Sequence, residues 1–168
     1  MRITGKKLAI EYEKTKAFYD HRAEKYNEEH PYISIMCQDQ HPEIAEQRNQ
    51  AEISRILPML NLNKQARVLD LGCGIGRWAD AISEEIAYYL GCDFSENLIE
   101  IANARNCKKN FNFATVSAME AATYCKQHNI QRFSHIIISG MMIYLNDEDV
   151  QRIFQSLSEL TLPNATVY

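Results

Sequence analysis

A chain of 168 residues with 46% apolar content can bury one core and is expected to form a single domain. A formal net charge of −4 with no dense Lys/Arg cluster argues against nucleic acid held by phosphate neutralisation. Short apolar runs such as residues 136–138, and residues 1–8 without a hydrophobic core, argue against a membrane span or secretion signal and for a cytoplasmic protein. Cys37, Cys73, Cys92, Cys107 and Cys125 are never spaced Cys-x-x-Cys and have no His at ligand spacing. They give neither a disulfide framework nor a metal site; three fall in or beside predicted core elements, where small buried hydrophobes are the expected reading.

Residues 6–29 are rich in helix formers and carry Leu8, Tyr12, Tyr19, Ala23 and Tyr26 at spacings near three, four and seven, which predicts one amphipathic helix or two short ones. Leu8 and Tyr12 are expected to pack on the flank of a sheet. His30-Pro31-Tyr32 stops the helix, because the residue before proline is pushed out of the α region, and leaves a loop or lid to Gln40. Pro42 suits the first turn of a second helix, continued by Ile44, Ala45, Ala51, Ile53, Ile56 and Leu57 until Pro58 ends or kinks it. That helix is expected to pack on the sheet, with Arg48 facing solvent rather than a ligand carboxylate. Residues 1–60 thus read as an N-terminal helical cap or lid and residues 61–168 as the core. His21, His30 and His41 are candidate general bases by residue type, but nothing in the sequence sets them beside a reacting atom, and each reads as a surface histidine.

Residues 67–78 organise the rest. Val68 to Leu71 is a short apolar run bounded by Gln65 and Arg67, the pattern of a buried parallel strand. Gly72, Gly74 and Gly76 follow at alternate positions, free to take φ > 0 and to let a ligand approach the backbone. A helix over residues 77–85 then points its N-terminus at that ligand, as in a nucleotide site. A dinucleotide fingerprint needs a third glycine where Arg77 stands, so the NAD pattern is broken. Asp70 beside the turn would repel a pyrophosphate and suit a cation. The next strand, residues 87–93, ends in Asp93, which lies 23 residues beyond Asp70 and near the spacing of a ribose-binding carboxylate. Its other reading is an N-cap of the helix over residues 96–106, for which Ser95 is better suited.

The stretch from Asp70 to Gly76 resembles motif I of the class I S-adenosylmethionine-dependent methyltransferases, Asp/Glu-x-Gly-x-Gly-x-Gly, and matches it in full. The resemblance covers about residues 12–168 and implies a Rossmann-like, doubly wound, mostly parallel α/β sheet. It also implies S-adenosyl-L-methionine as cofactor, S-adenosyl-L-homocysteine as product and a small-molecule acceptor. Asp70, Gly72, Cys73, Gly74, Gly76, Asp93 and Phe94 fall in its cofactor segments. The run Tyr19-Asp20-His21-Arg22-Ala23-Glu24-Lys25-Tyr26 is similar to a Tyr-Asp-x-x-Ala-x-x-Tyr element that folds over the cofactor, so Tyr19 and Tyr26 inherit a place near the methionine moiety and the acceptor.

A third strand over residues 112–116 leads to Ser117, Ala118 and Met119, where the family sets a turn against the adenine. An Asp is frequent in the family at the position of Ser117, which leaves a hydroxyl or backbone contact here. Glu120 opens a helix to about His128. The fourth strand, residues 133–139, is the clearest buried strand, and Gly140 to Tyr144 at its end border the switch point of the sheet. Ser139-Gly140-Met141-Met142 is neither the Asn/Asp-Pro-Pro-aromatic nor the Pro-Cys signature of nucleic-acid base methylation. It is similar to the Gly-x-x-x-Tyr-Leu/Ile segment of small-molecule enzymes. Of Met141 and Met142, one is expected in the core and one in an adaptable apolar pocket. Asn146 or Asp147 caps a helix ending by Pro163, and residues 165–168 open a fifth strand.

The family sheet has a further antiparallel hairpin that these residues do not supply, so the chain is expected to be truncated, with an unpaired edge that invites association between copies. The function implied is methyl transfer to an O or N atom of a small molecule, with Tyr19, His21 and Tyr144 as candidates for any assisting base. The alternatives are a non-catalytic binding or interaction module with the same fold and, disfavoured by Arg77 and Asp70, an NAD-type oxidoreductase.

Overall fold

The structure is a computed structural model in which residues 9–168 are described; Leu8 and the start of the expected first helix lie outside the described residues. Among the described residues five strands, β1 (Arg67–Leu71), β2 (Tyr88–Asp93), β3 (Phe111–Thr115), β4 (Phe133–Ile137) and β5 (Thr161–Val167), form one parallel sheet in the order β3-β2-β1-β4-β5. Val68, Leu69 and Leu71 of β1 and Ile136 and Ile137 of β4 are fully buried, because both faces of a parallel sheet are covered by crossover helices. The order reverses at β1, which lies between β2 and β4. Ligands of such sheets sit over the carboxyl ends of strands at that crevice.

Among the described residues seven α-helices surround the sheet: α1 (Tyr12–Ala23), α2 (Ile33–Met36), α3 (Pro42–Leu60), α4 (Arg77–Ala81), α5 (Glu96–Arg105), α6 (Ala121–Gln127) and α7 (Asp147–Leu160). On one face Ile53, Ile56, Leu57 and Leu60 of α3 pack with Val68, Trp78 and Ile137. On the other, Ala121 and Cys125 of α6 and Ile153, Leu157 and Leu160 of α7 pack with Leu69, Leu90 and Ile136. The first sixty residues therefore divide: α3 is a flank of the sheet, while α1 and α2 join Ile75, Leu98 and Ile101 through Tyr19, Tyr32 and Ile35.

Several element boundaries differ from the sequence expectation. Helix α1 stops at Ala23, and the expected loop after Pro31 contains the single turn α2, closed by Cys37 at φ 54°. Helix α3 runs through Pro58 and ends at Asn61, φ 50°; a proline this near the C-terminus leaves only the carbonyl four residues back without its helical partner. Helix α4 ends at Ala81 rather than residue 85, because Lys108 Nζ donates to the carbonyls of Ala79 at 2.6 Å and Ile82 at 2.7 Å, satisfying groups a longer helix would have bonded.

Strand β5 begins at Thr161 and contains Pro163. Its pairing jumps from Phe133↔Thr161 to His135↔Thr166, so the proline sits in an irregularity of an edge strand, where a missing N–H costs no ladder bond. No helix of the described residues is long and apolar enough to cross a membrane.

Candidate active site

The site is built at the carboxyl ends of β1 and β2. The N–H groups of Gly72 and Cys73 both donate to the Cys92 carbonyl, at 2.8 and 3.0 Å, which folds the glycine turn against the end of β2. Gly72 has φ +73°, and a Cβ there would lie 2.9 Å from Cβ of Met141. A side chain is excluded by conformation and by space alike.

Asp93 meets this turn. Its Oδ2 accepts the Gly74 N–H at 3.0 Å and its Oδ1 accepts the Ser95 N–H at 3.0 Å. Ser95, not Asp93, caps α5, its Oγ accepting the Leu98 N–H at 3.3 Å; the same hydroxyl donates to Asp20 of α1 at 2.6 Å. A carboxylate has about four acceptor sites, so Asp93 keeps capacity for a further donor beside its backbone partners. Burial raises the Asp93 pKa, against the backbone donors that lower it.

A cavity of about 640 Å³ opens at this point. Gly72, Cys73, Gly74, Asp93 and Phe94 border it, as do Ser117, Ala118 and Met119 after β3 and Gly140, Met141 and Tyr144 after β4. Met142 packs on the core below without bordering it. Tyr19 closes the cavity from α1, its ring edge-on to Tyr144 at 5.4 Å and to Phe94 at 6.3 Å. Burial, reinforced by the hydrogen bond with Tyr144, pushes the Tyr19 hydroxyl far up, so it is a poor base at neutral pH.

Four residues expected in the site are placed elsewhere. Asp70 is 1% exposed and accepts the Tyr89 hydroxyl at 2.6 Å. Its carboxyl, raised by burial to about 7, does not border the cavity. Gly76, φ +80°, begins α4 against Asn106 and Phe113. Tyr26 lies past the end of α1, where its hydroxyl accepts from Arg105 at 3.1 Å beside a separate groove on α5; the helix that would have carried its ring to the cavity ends first. His21 points outward and pairs with Glu24 at 2.9 Å.

Other residues are brought in that sequence reasoning did not assign. Tyr12, Thr15 and Lys16 of α1 and Arg48 and Glu52 of α3 border the cavity, with Arg77 and Trp78. Arg77 pairs with Glu52 at 3.0 Å and donates to Asn49 at 3.2 Å and Ser139 at 2.8 Å. Glu52 also accepts from Ser139 Oγ at 2.6 Å and the Tyr168 hydroxyl at 2.9 Å. Burial pushes its carboxyl up, but these donors outweigh that and hold it below the ordinary value.

Tyr12 was expected on the sheet flank; instead its hydroxyl donates to Asp149 at 2.5 Å and accepts the Asn146 N–H at 3.0 Å, latching α1 to the start of α7. The side chain of Asn146 is used in the same latch, on Ile10 and Tyr12, and not as a helix cap. The signal for these residues was their spacing: Tyr12, Lys16 and Tyr19 share one helical face, as do Arg48 and Glu52. Among the described residues no group of three His, Cys, Asp or Glu side chains is placed to hold a metal.

Residues 68–164 match the model of the family described as "Methyltransferase domain". The chain belongs to this family. The methyltransferase domain is 28% identical over 144 residues, 84% of this chain and 28% of the relative, to phosphoethanolamine N-methyltransferase 1 of Caenorhabditis elegans. It is 31% identical over 107 residues, 62% of this chain and 43% of the relative, to ubiquinone biosynthesis O-methyltransferase of Coxiella burnetii. It thus spans less than half the length of either.

Among solved structures it is similar to phosphoethanolamine N-methyltransferase 1 of Haemonchus contortus in complex with phosphoethanolamine and S-adenosylhomocysteine, with TM-score 0.72 and 22% identity over 96% of this chain and 32% of that one. The fold is accordingly the Rossmann-like methyltransferase fold, with strand order β3-β2-β1-β4-β5.

Proposed function

We propose that this domain binds S-adenosyl-L-methionine and transfers its methyl group to an O or N atom of a small molecule, leaving S-adenosyl-L-homocysteine. The observation that carries the reading is the meeting of the glycine turn and Asp93: the Gly74 N–H lies 3.0 Å from the carboxylate, and both border one cavity with residues 117–119. In this reading Asp93 takes the ribose hydroxyls, Ser117, Ala118 and Met119 with Phe94 flank the adenine, and the backbone of residues 72–74 runs along the methionine. When bound, the group would supply a methyl on positively charged sulfur, open to in-line attack at carbon by an O or N lone pair, with the C–S bond pair leaving on the sulfur.

The chain's own contribution is to align the acceptor and exclude water. Proximity and alignment are worth about 7–11 kcal/mol in favourable cases, so no covalent catalyst is needed. Tyr19, Tyr144 and Met141 supply an aromatic and apolar wall. Similarity to a phosphoethanolamine N-methyltransferase and to a ubiquinone biosynthesis O-methyltransferase supports a small acceptor without choosing between N and O.

Calorimetry tests this. S-adenosylhomocysteine binds to the wild-type chain and NAD does not, and radiolabelled methyl is transferred to at least one member of a panel of small amines and phenols. NAD binding in place of S-adenosylhomocysteine overturns the reading, and binding without transfer to any acceptor points instead to a non-catalytic binding module.

A further inference from the structure

The part of the cavity away from Asp93 has a charge pattern that specifies more than a small acceptor. Among the described residues three cations border it: Lys16 on α1, Arg48 on α3 and Arg77 at the start of α4. Two are already neutralised. Lys16 is paired with Asp20 at 2.7 Å and sits in the field of Glu13, and Arg77 is paired with Glu52 at 3.0 Å. Arg48 makes no hydrogen bond or ion pair with any described residue.

Its side chain is exposed, and what is fixed is its place on α3. Asn49 beside it is buried against Arg77, and Glu52, one turn further along the same face, is locked by Arg77, Ser139 and Tyr168. The helix therefore holds Arg48 toward the cavity while leaving its guanidinium unclaimed. A planar fork of five N–H donors that stays charged at every working pH fits a carboxylate or phosphate bidentately.

We infer that Arg48 is a specificity-determining residue that holds an anionic group, a phosphate monoester or a carboxylate, carried by the methyl acceptor. The inference rests on the methyltransferase reading above. It places the anion at the α3 side of the cavity and the reacting O or N atom between that side and the glycine turn. Lys16 and Arg77 do not substitute for Arg48, because an incoming anion would have to displace Asp20 or Glu52 from them.

The test is calorimetry on the chain saturated with S-adenosylhomocysteine, comparing phosphoethanolamine, β-alanine and ethanolamine: a primary amine with a phosphate, with a carboxylate and with neither. The wild-type chain binds one or both anionic amines at least tenfold more tightly than ethanolamine, and which of the two wins separates phosphate from carboxylate. Arg48→Gln removes that preference, and Arg48→Lys restores part of it. S-adenosylhomocysteine affinity changes less than threefold in both variants, and far-ultraviolet circular dichroism confirms that both fold.

Equal binding of the three amines overturns the inference, as does a preference that survives Arg48→Gln. Loss of S-adenosylhomocysteine binding in Arg48→Gln also overturns it, by assigning the guanidinium to the cofactor's own carboxylate. Failure of the wild-type chain to bind S-adenosylhomocysteine at all is a different result, and removes the methyltransferase reading itself.

Discussion

The two ends of the cavity are made of different materials. At the β1–β2 end the groups that meet a ligand are main-chain N–H donors of a glycine turn and one strand-terminal carboxylate, tied together by bonds of 2.8 to 3.0 Å. At the opposite end they are side chains of α1, α3 and the segment after β4, held by ion pairs and by the Tyr12 latch to α7. A backbone cradle admits few substitutions, because a Cβ added to it strikes a neighbour. A wall of side chains on helices can change its chemistry one residue at a time, so such a domain keeps its cofactor and varies its acceptor.

Substitutions at the two ends break or sharpen this contrast. Asp93→Ala has the largest effect: it removes two charge-assisted acceptors, each worth about 1.5–3 kcal/mol, and weakens S-adenosylhomocysteine binding at least about a hundredfold by calorimetry. Next is Gly72→Ala, whose Cβ would lie 2.9 Å from Met141 at φ +73°. Strain of about 1–3 kcal/mol lowers the melting temperature and cofactor affinity together.

Asp70 gives a pH signature in place of a binding defect. Its carboxyl is raised to about 7 from 3.8 by burial, so its stabilising contribution is fully present below about pH 4 and is lost as pH rises through 7. Asp70→Asn flattens that part of the stability–pH curve, read by thermal melts from pH 4 to 8, and leaves cofactor affinity within a few-fold.

At the acceptor end the effects are smaller. Tyr12→Phe removes one hydroxyl from the latch, a loss of about 1 kcal/mol. It speeds hydrogen exchange in α1 and raises the acceptor KM several-fold, with S-adenosylhomocysteine affinity unchanged. Tyr19→Phe is the mildest, lowering turnover less than tenfold and leaving the pH–rate profile in place, because a hydroxyl whose pKa is pushed up by burial does not act as the titrating base. A new pH dependence in that variant would return Tyr19 to the chemistry.

The cofactor end was legible in the sequence because its signals are local. Glycines two apart, an acid closing the next strand and a serine suited to cap the helix each carry their own meaning, and Gly74, Asp93 and Ser95 are found bonded together. The acceptor end was less legible because its signals are relational. Amphipathic spacing does not distinguish a helix packed on a sheet from one walling a cleft, so Tyr12 was expected on the flank, and Arg48, exposed as expected, also borders the cavity. Asp70 was misplaced for a similar reason: its partner Tyr89 lies on the neighbouring strand, and only the strand pairing brings the two together. Tyr26 followed a helix that ends three residues earlier, and Pro163 read as a stop because nothing local announces the irregular edge pairing of β5.

The central claim is that the glycine turn and Asp93 grip one adenosyl group, and a crystal structure grown with S-adenosylhomocysteine tests it most directly. The account predicts both ribose hydroxyls about 2.5–3.0 Å from the Asp93 carboxylate, with the adenine beside residues 117–119. Density for the ligand anywhere else, or a cleft that stays closed to it at saturating concentration, contradicts the account.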